Sequence, residues 1–190
     1  AAGLRPADVV AGTTFFTGAS FAAESAADYA SMFDVPRPPR TTLVLPRLPG
    51  AIKPEVTFVA AQSALPRLEI RAGDDPDALG VLAGDVLYTR AESAPDAGPG
   101  IESQTRAAFG KLRDTVQKAG ARWADVMHVN VYLTDLADFA SMDRVFRETF
   151  PLAELHSFKG ILNATTNLIL SRMEDGETFE EAVKYCQSIG

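Results

Sequence analysis

Cysteine occurs once in the 190 residues, at Cys186, and histidine twice, at His128 and His156. One cysteine excludes an internal disulfide, so the expected compartment is a reducing one, the cytoplasm. So few soft ligands leave no basis for a zinc centre; no metal and no cofactor is expected. Positive charge is also short, with 18 Lys and Arg against 25 Asp and Glu and a net charge of −7. Binding a phosphate backbone needs clustered Lys and Arg, and none is present, so nucleic acid is not an expected partner. An anionic small molecule stays compatible wherever one arginine stands apart. No apolar run approaches the roughly 20 residues of a membrane span, so no membrane partner is expected. The chain opens without an initiator Met, a signal peptide or a basic targeting segment.

What is present is an ordinary globular composition, 46% hydrophobic and 23% charged. The length suits one large domain or two small ones. Within it lies an internal echo. "ADYASM" at residues 27–32 returns as "ADFASM" at 137–142, with Tyr29 exchanged for Phe139. Upstream, "ADVVAGTTFFTG" (7–18) aligns with "ADVMHVNVYLTD" (124–135), matching Val9 with Val126, Val10 with Met127, Phe15 with Tyr132 and Phe16 with Leu133. The offset then falls by seven, which assigns "ASFAAESA" (19–26) to a longer loop in the first copy. A duplicated strand–helix unit follows.

In the second copy Met127, Val129, Val131 and Leu133 alternate with Val126, His128, Asn130 and Tyr132, predicting a strand whose first set faces a core. His128 is placed on the mixed face, without a catalytic role. Further strands are predicted at 40–46, 55–61 and 83–92, with 67–80 a linker or a peripheral strand and loop. A helix is predicted over 101–119, with Ala108, Leu112, Val116 and Ala119 as its apolar stripe and Gly120 as its C-cap. Trp123 is expected to cover the end of the core. After Pro151 a helical hairpin is predicted. It has Ile169, Leu170 and Met173 buried, and "TFEE" (178–181) is a capping box opening a final helix that carries Cys186, Val183 and Ile189. Strands mixed with amphipathic helices give an α+β class, a mixed sheet with helices on one face and a C-terminal helical hairpin.

The runs "PPRTT…LP…V" and "AG…ADVMHVNVYLTDLADF" resemble the Rid family, the YjgF-like reactive-intermediate imine and enamine deaminases. "GDVLYTRAE" followed by 102–151 is similar to the first two thirds of a Rid domain, and residues 7–61 to the last half of one. The chain therefore reads as two incomplete copies: 1–62 the second half of one domain, 63–80 a linker or peripheral strand, 81–151 the first part of another. A tandem protein cut at both ends or a permuted domain has this order. Residues 152–190, with "GILNATTNLIL", resemble a segment of homoserine dehydrogenase. That enzyme's nucleotide-binding glycines and its catalytic Asp and Lys region have no counterpart here, so its activity does not follow.

The resemblance implies a Rid or chorismate-mutase-like sheet, a trimer, and an arginine holding a substrate carboxylate in a cleft between subunits. The substrate is an imine or enamine of a 2-amino acid, hydrolysed to a 2-keto acid and ammonia. Arg40 matches that arginine, with Thr42 beside it; a planar guanidinium can hold a carboxylate through two parallel charge-assisted bonds. The family's strand carboxylate is replaced by Thr57, which cannot take a proton near neutral pH. Glu55, two residues away and on the same strand face, is the alternative base. Arg90 stands where the family often has Ser-Gly-Gln, either as a second anion contact or, the favoured alternative, paired with Glu92 or Asp96. Two readings stay open. One is a protein binding or hydrolysing small 2-imino acids; the other is a non-catalytic, diverged or engineered chimeric Rid-derived chain without a complete site.

Overall fold

The computed structural model describes residues 3–49, 52–62, 64–150, 172–173 and 176–188. The chain divides into two compact units, Ala1–Pro151 and Leu152–Gly190.

The first unit holds two three-stranded sheets. In one, β1 (Val9–Phe16) is central, parallel to β2 (Arg40–Val44) and antiparallel to β3 (Pro54–Ala60). Helix α1 (Ala19–Met32) connects β1 to β2 and covers one face through Tyr29, which packs with Val9 and Phe33. Gly12 makes that packing possible. A Cβ there would stand 3.0 Å from the Phe58 ring, which lies over the strand against Phe33. The other sheet is an antiparallel meander of β4 (Arg67–Ile70), β5 (Gly80–Ala83) and β6 (Val86–Thr89). Val10 of β1 joins Ala78, Val81 and Ala83 in one buried cluster, so the two sheets share a core.

Helices α2 (Ile101–Lys118) and α3 (Phe139–Thr149) pair beside the second sheet. Phe109, Phe146 and Phe150 meet at centroid distances of 5.0–5.9 Å, and Trp123 stacks on Phe150 at 4.8 Å. Glu102–Arg144 (2.8 Å) and Arg106–Glu148 (2.6 Å) tie the same two helices at their exposed edge. In the second unit, α4 (Phe179–Ser188) starts at the expected capping box: Thr178 N donates to Glu181 Oε2 at 2.9 Å and Glu181 N donates to Thr178 Oγ1 at 3.3 Å.

The α+β class holds, as do the strands at β1, β2 and β3, the helix ending before Gly120 (φ +76°), and the placement of Cys186 buried on the last helix. Several expectations are corrected. "ASFAAESA" is not a loop but the first turns of α1, because an alanine-rich run is a strong helix former. The single strand over 83–92 is a hairpin, turned at Gly84 (φ +59°) and Asp85, a conformation that favours glycine. The face of α2 is set by Thr105, Phe109, Thr115 and Val116, because the Phe109 ring anchors it against α3; of the expected stripe only Val116 is buried. Residues 126–133 join no sheet ladder among the described residues, and Met127 is 82% exposed, so the expected core face is not buried. Met173 is exposed rather than buried. Ile169, Leu170, Ile189 and most of the expected hairpin lie outside the described residues.

Candidate functional site

Side chains alternate along a strand, so the register sorts the candidate residues by face. Arg40 opposes Gly12 and Thr42 opposes Thr14; both therefore lie on the α1 face, with Phe58. Thr57 opposes Thr13 and Glu55 opposes Phe15, on the other face. The structure thus brings Arg40 and Thr42 together, and Glu55 and Thr57 together, but separates the two pairs across the sheet.

On the α1 face the Arg40 guanidinium carbon sits 4.3 Å from the centroid of the Tyr29 ring. This is a cation–π contact that fixes the fork without using its donors. Tyr29 is itself held, its hydroxyl donating to the carbonyl of Pro38 at 2.8 Å. Burial pushes the Tyr29 phenol up to about 12, with the Arg40 charge partly opposing it. Thr42 and buried Thr14 share a hydroxyl hydrogen bond of 3.1 Å, and Thr14 also donates to the Thr41 carbonyl at 3.3 Å.

Among the described arginines, four have no carboxylate partner: Arg40, Arg47, Arg71 and Arg113. The other three are exposed, whereas Arg40 is half-buried. A half-buried cation with its hydrogen-bond donors uncommitted to any carboxylate is what an anionic ligand would neutralise.

Arg90 is different. Its Nε donates to Glu92 at 2.9 Å and its Nη1 to Asp75 at 3.1 Å. Glu92 is one of the two expected partners; the second is Asp75, from the loop after β4, in place of Asp96. The Asp77 backbone N–H and then Arg90 hold the Asp75 carboxyl below its ordinary range. With both carboxylates in place, Arg90 is a structural clamp.

Beyond the opposite face lies a cavity of about 500 Å³, between Thr13 and Thr41 of the first sheet, Tyr88 and Arg90, and the 126–132 segment. His128 there is exposed and bonded to Asn130 at 3.1 Å; the same lining carries Asp85 and the Arg122–Asp125 ion pair. The described residues contain no group of three or more His, Cys, Asp or Glu able to hold a metal ion.

Tyr29 belongs to no site motif, yet the sequence echo carries its signal. It is the one position where "ADYASM" and "ADFASM" differ, and the extra hydroxyl is the one used on Pro38. Phe139, its counterpart, is 55% exposed.

Residues 78–160 match the family model for endoribonuclease L-PSP. Residues 142–190 match the homoserine dehydrogenase model. Among curated proteins, the mitochondrial protein mmf2 of Schizosaccharomyces pombe is 33% identical over 75 residues, 37% of this chain and 60% of that protein. RutC family proteins of Pyrococcus abyssi and Pyrococcus horikoshii are 42% and 32% identical over 50 and 81 residues, or 26% and 40% of this chain. The chain spans 39% and 64% of those two, so less than two thirds of each of these relatives is matched. No solved structure matches.

Proposed function

Residues 78–160 belong to the endoribonuclease L-PSP family, the Rid family of the resemblance above, and on that premise we propose that the chain binds small carboxylate-bearing metabolites, 2-imino and 2-keto acids, through Arg40. The observation that carries this reading is the half-buried Arg40 guanidinium, oriented by Tyr29 and unmatched by any carboxylate among the described residues. Thr42 supplies a hydroxyl on the same face, two residues along β2. Arg90 is left out of the site because Glu92 and Asp75 already engage it.

The reading is binding without turnover. Hydrolysis of an imine needs a base within reach of the attacking water. Glu55 faces away from Arg40 across the sheet, and Thr57 beside it cannot serve as that base. No helix among the described residues is long and apolar enough to cross a membrane. Assembly with copies of itself, three by the family resemblance, is part of the proposal. So is a reducing compartment such as the cytoplasm, with the mitochondrial names of relatives such as mmf2 marking the competing address.

Calorimetric titration with pyruvate tests the site. Binding is expected, and Arg40→Ala is expected to weaken it at least about tenfold, since hydrogen bonds to charged groups contribute about 1.5–3 kcal/mol. Arg40→Lys, which keeps charge but loses the fork, should fall between the two. Ammonia release from freshly generated 2-aminoacrylate should not exceed the uncatalysed rate. A rate above it that Glu55→Gln abolishes would replace binding by hydrolysis.

A further inference from the structure

Arg40 follows Pro38 and Pro39, neither of which has a backbone N–H to donate. This stretch is therefore held by its carbonyls and by its ends. The Pro38 carbonyl accepts from the Tyr29 hydroxyl at 2.8 Å, and the Pro39 carbonyl from Gly12 N at 3.0 Å. Both ends are gripped from the second sheet. At the start, Arg37 N donates to the Pro76 carbonyl and Ala78 N to the Arg37 carbonyl, each at 2.9 Å, while the Arg37 guanidinium pairs with Asp77. At the far end, Ala91 N donates to Thr41 Oγ1 at 2.9 Å.

The two grips meet at Asp75. Its Oδ1 accepts from Asp77 N at 3.0 Å, and its Oδ2 accepts from Arg90 Nη1 at 3.1 Å. An ionised carboxylate can do both, because each of its oxygens is an acceptor. Arg90 in turn donates through Nε to Glu92 at 2.9 Å, which fixes the residues on either side of Ala91. The bonds form a closed ring. It runs from Arg37 to Asp77, to Asp75, to Arg90 and its neighbour Ala91, to Thr41, and back through Arg40 along the chain. Asp75 joins its two halves.

A guanidinium holds a carboxylate through two parallel bonds only when its fork is aimed at the ligand. The Tyr29 ring supports the fork, and the ring of bonds fixes the backbone from which Arg40 projects. We infer that Asp75 is a positioning residue for Arg40, tying the 37–41 segment at both ends so that the fork is presented to a ligand carboxylate. Asp75 acts through Arg90 and Asp77 and does not touch the ligand. This inference rests on the carboxylate-binding reading above, and it names what that site takes from outside β2 and α1.

Calorimetric titration of the intact chain with pyruvate tests this. Asp75→Asn keeps an oxygen for Asp77 N but turns an amide donor toward Arg90, so it opens the ring and spares the local turn. The pyruvate Kd should rise about two- to thirtyfold, the span of couplings carried through such networks. In Arg40→Lys, which has no fork to aim, adding Asp75→Asn should leave the Kd unchanged. Thr41→Val opens the same ring at its other joint, so combining it with Asp75→Asn should weaken binding no further than the worse single variant. Glu69→Gln removes the Arg67 partner on β4 without touching the ring, and should leave the affinity unaltered. Equal losses from Asp75→Asn with arginine or with lysine at position 40 would make its role merely structural and overturn the inference. An Asp75→Asn chain that binds pyruvate as the unaltered one does overturns it too, and leaves the Arg40 reading standing. An unaltered chain that does not bind pyruvate removes that reading, and this inference with it.

Discussion

Arg40 is useful because of what it lacks. Nine described arginines sit against a carboxylate, and a buried or half-buried cation that does so is spoken for. Arg40 rests on an aromatic face, which steadies the guanidinium while leaving its edge donors for a ligand. Its support, Tyr29, also sets a pH limit. The unfolded chain loses the phenolic proton near the ordinary 10.0, whereas the folded chain keeps it up to about 12. Above 10 the native state therefore binds more protons than the unfolded one, so stability must fall with rising pH. The contribution is complete below pH 10 and lost by about pH 12. Urea unfolding at steps across that window should show the midpoint declining, and Tyr29→Phe should flatten this part of the decline.

At the scale of elements, the tightest constraint is in the second sheet. Gly80 opens β5, and a Cβ there would stand 2.9 Å from the Tyr88 carbonyl oxygen of the neighbouring strand and 3.5 Å from Thr115 of α2. Backbone cannot swing aside as a side chain can. Gly80→Ala is expected to destabilise the unit by about 1–3 kcal/mol, the range for overpacked cores, read as a lower urea midpoint. The elements also show where periodicity suffices and where it does not. β1, β2 and β3 were legible from β-branched runs bounded by proline and glycine, because those signals are local. The 126–133 segment carries the same alternation and joins no ladder among the described residues, because a strand is completed by a neighbour and the pattern does not say which one. "ASFAAESA" misled in the reverse direction. Comparison with the second copy makes it a longer loop, while its alanine content favours the helix that forms.

For the whole molecule, net charge is the ground for proposing that the chain does not bind RNA, although the family model it matches over 78–160 is described as an endoribonuclease. Acidic residues outnumber basic ones 25 to 18, and nine of the described arginines are already paired, which leaves few free cations among the described residues for a phosphate backbone. Fluorescence anisotropy with a labelled single-stranded RNA should show no saturable binding at physiological salt; a salt-dependent isotherm would contradict this. The match to that family covers 78–160, and the site proposed here comes from β2 and α1, outside it. The link between the two is the shared core of Val10 with Ala78, Val81 and Ala83.

Composition and local pattern were enough for the α+β class and for an arginine worth testing, since each depends on residue type or short-range order. That Glu55 and Thr57 share a face was likewise readable, because parity within one strand needs only counting. That this face is not the face of Arg40 was not readable, because parity between strands depends on register, which hydrogen-bonded pairing alone decides. The same holds for Tyr29, whose ring reaches Arg40 only once α1 folds back over the sheet, and for residues 126–133, whose alternation meets no neighbouring strand among the described residues.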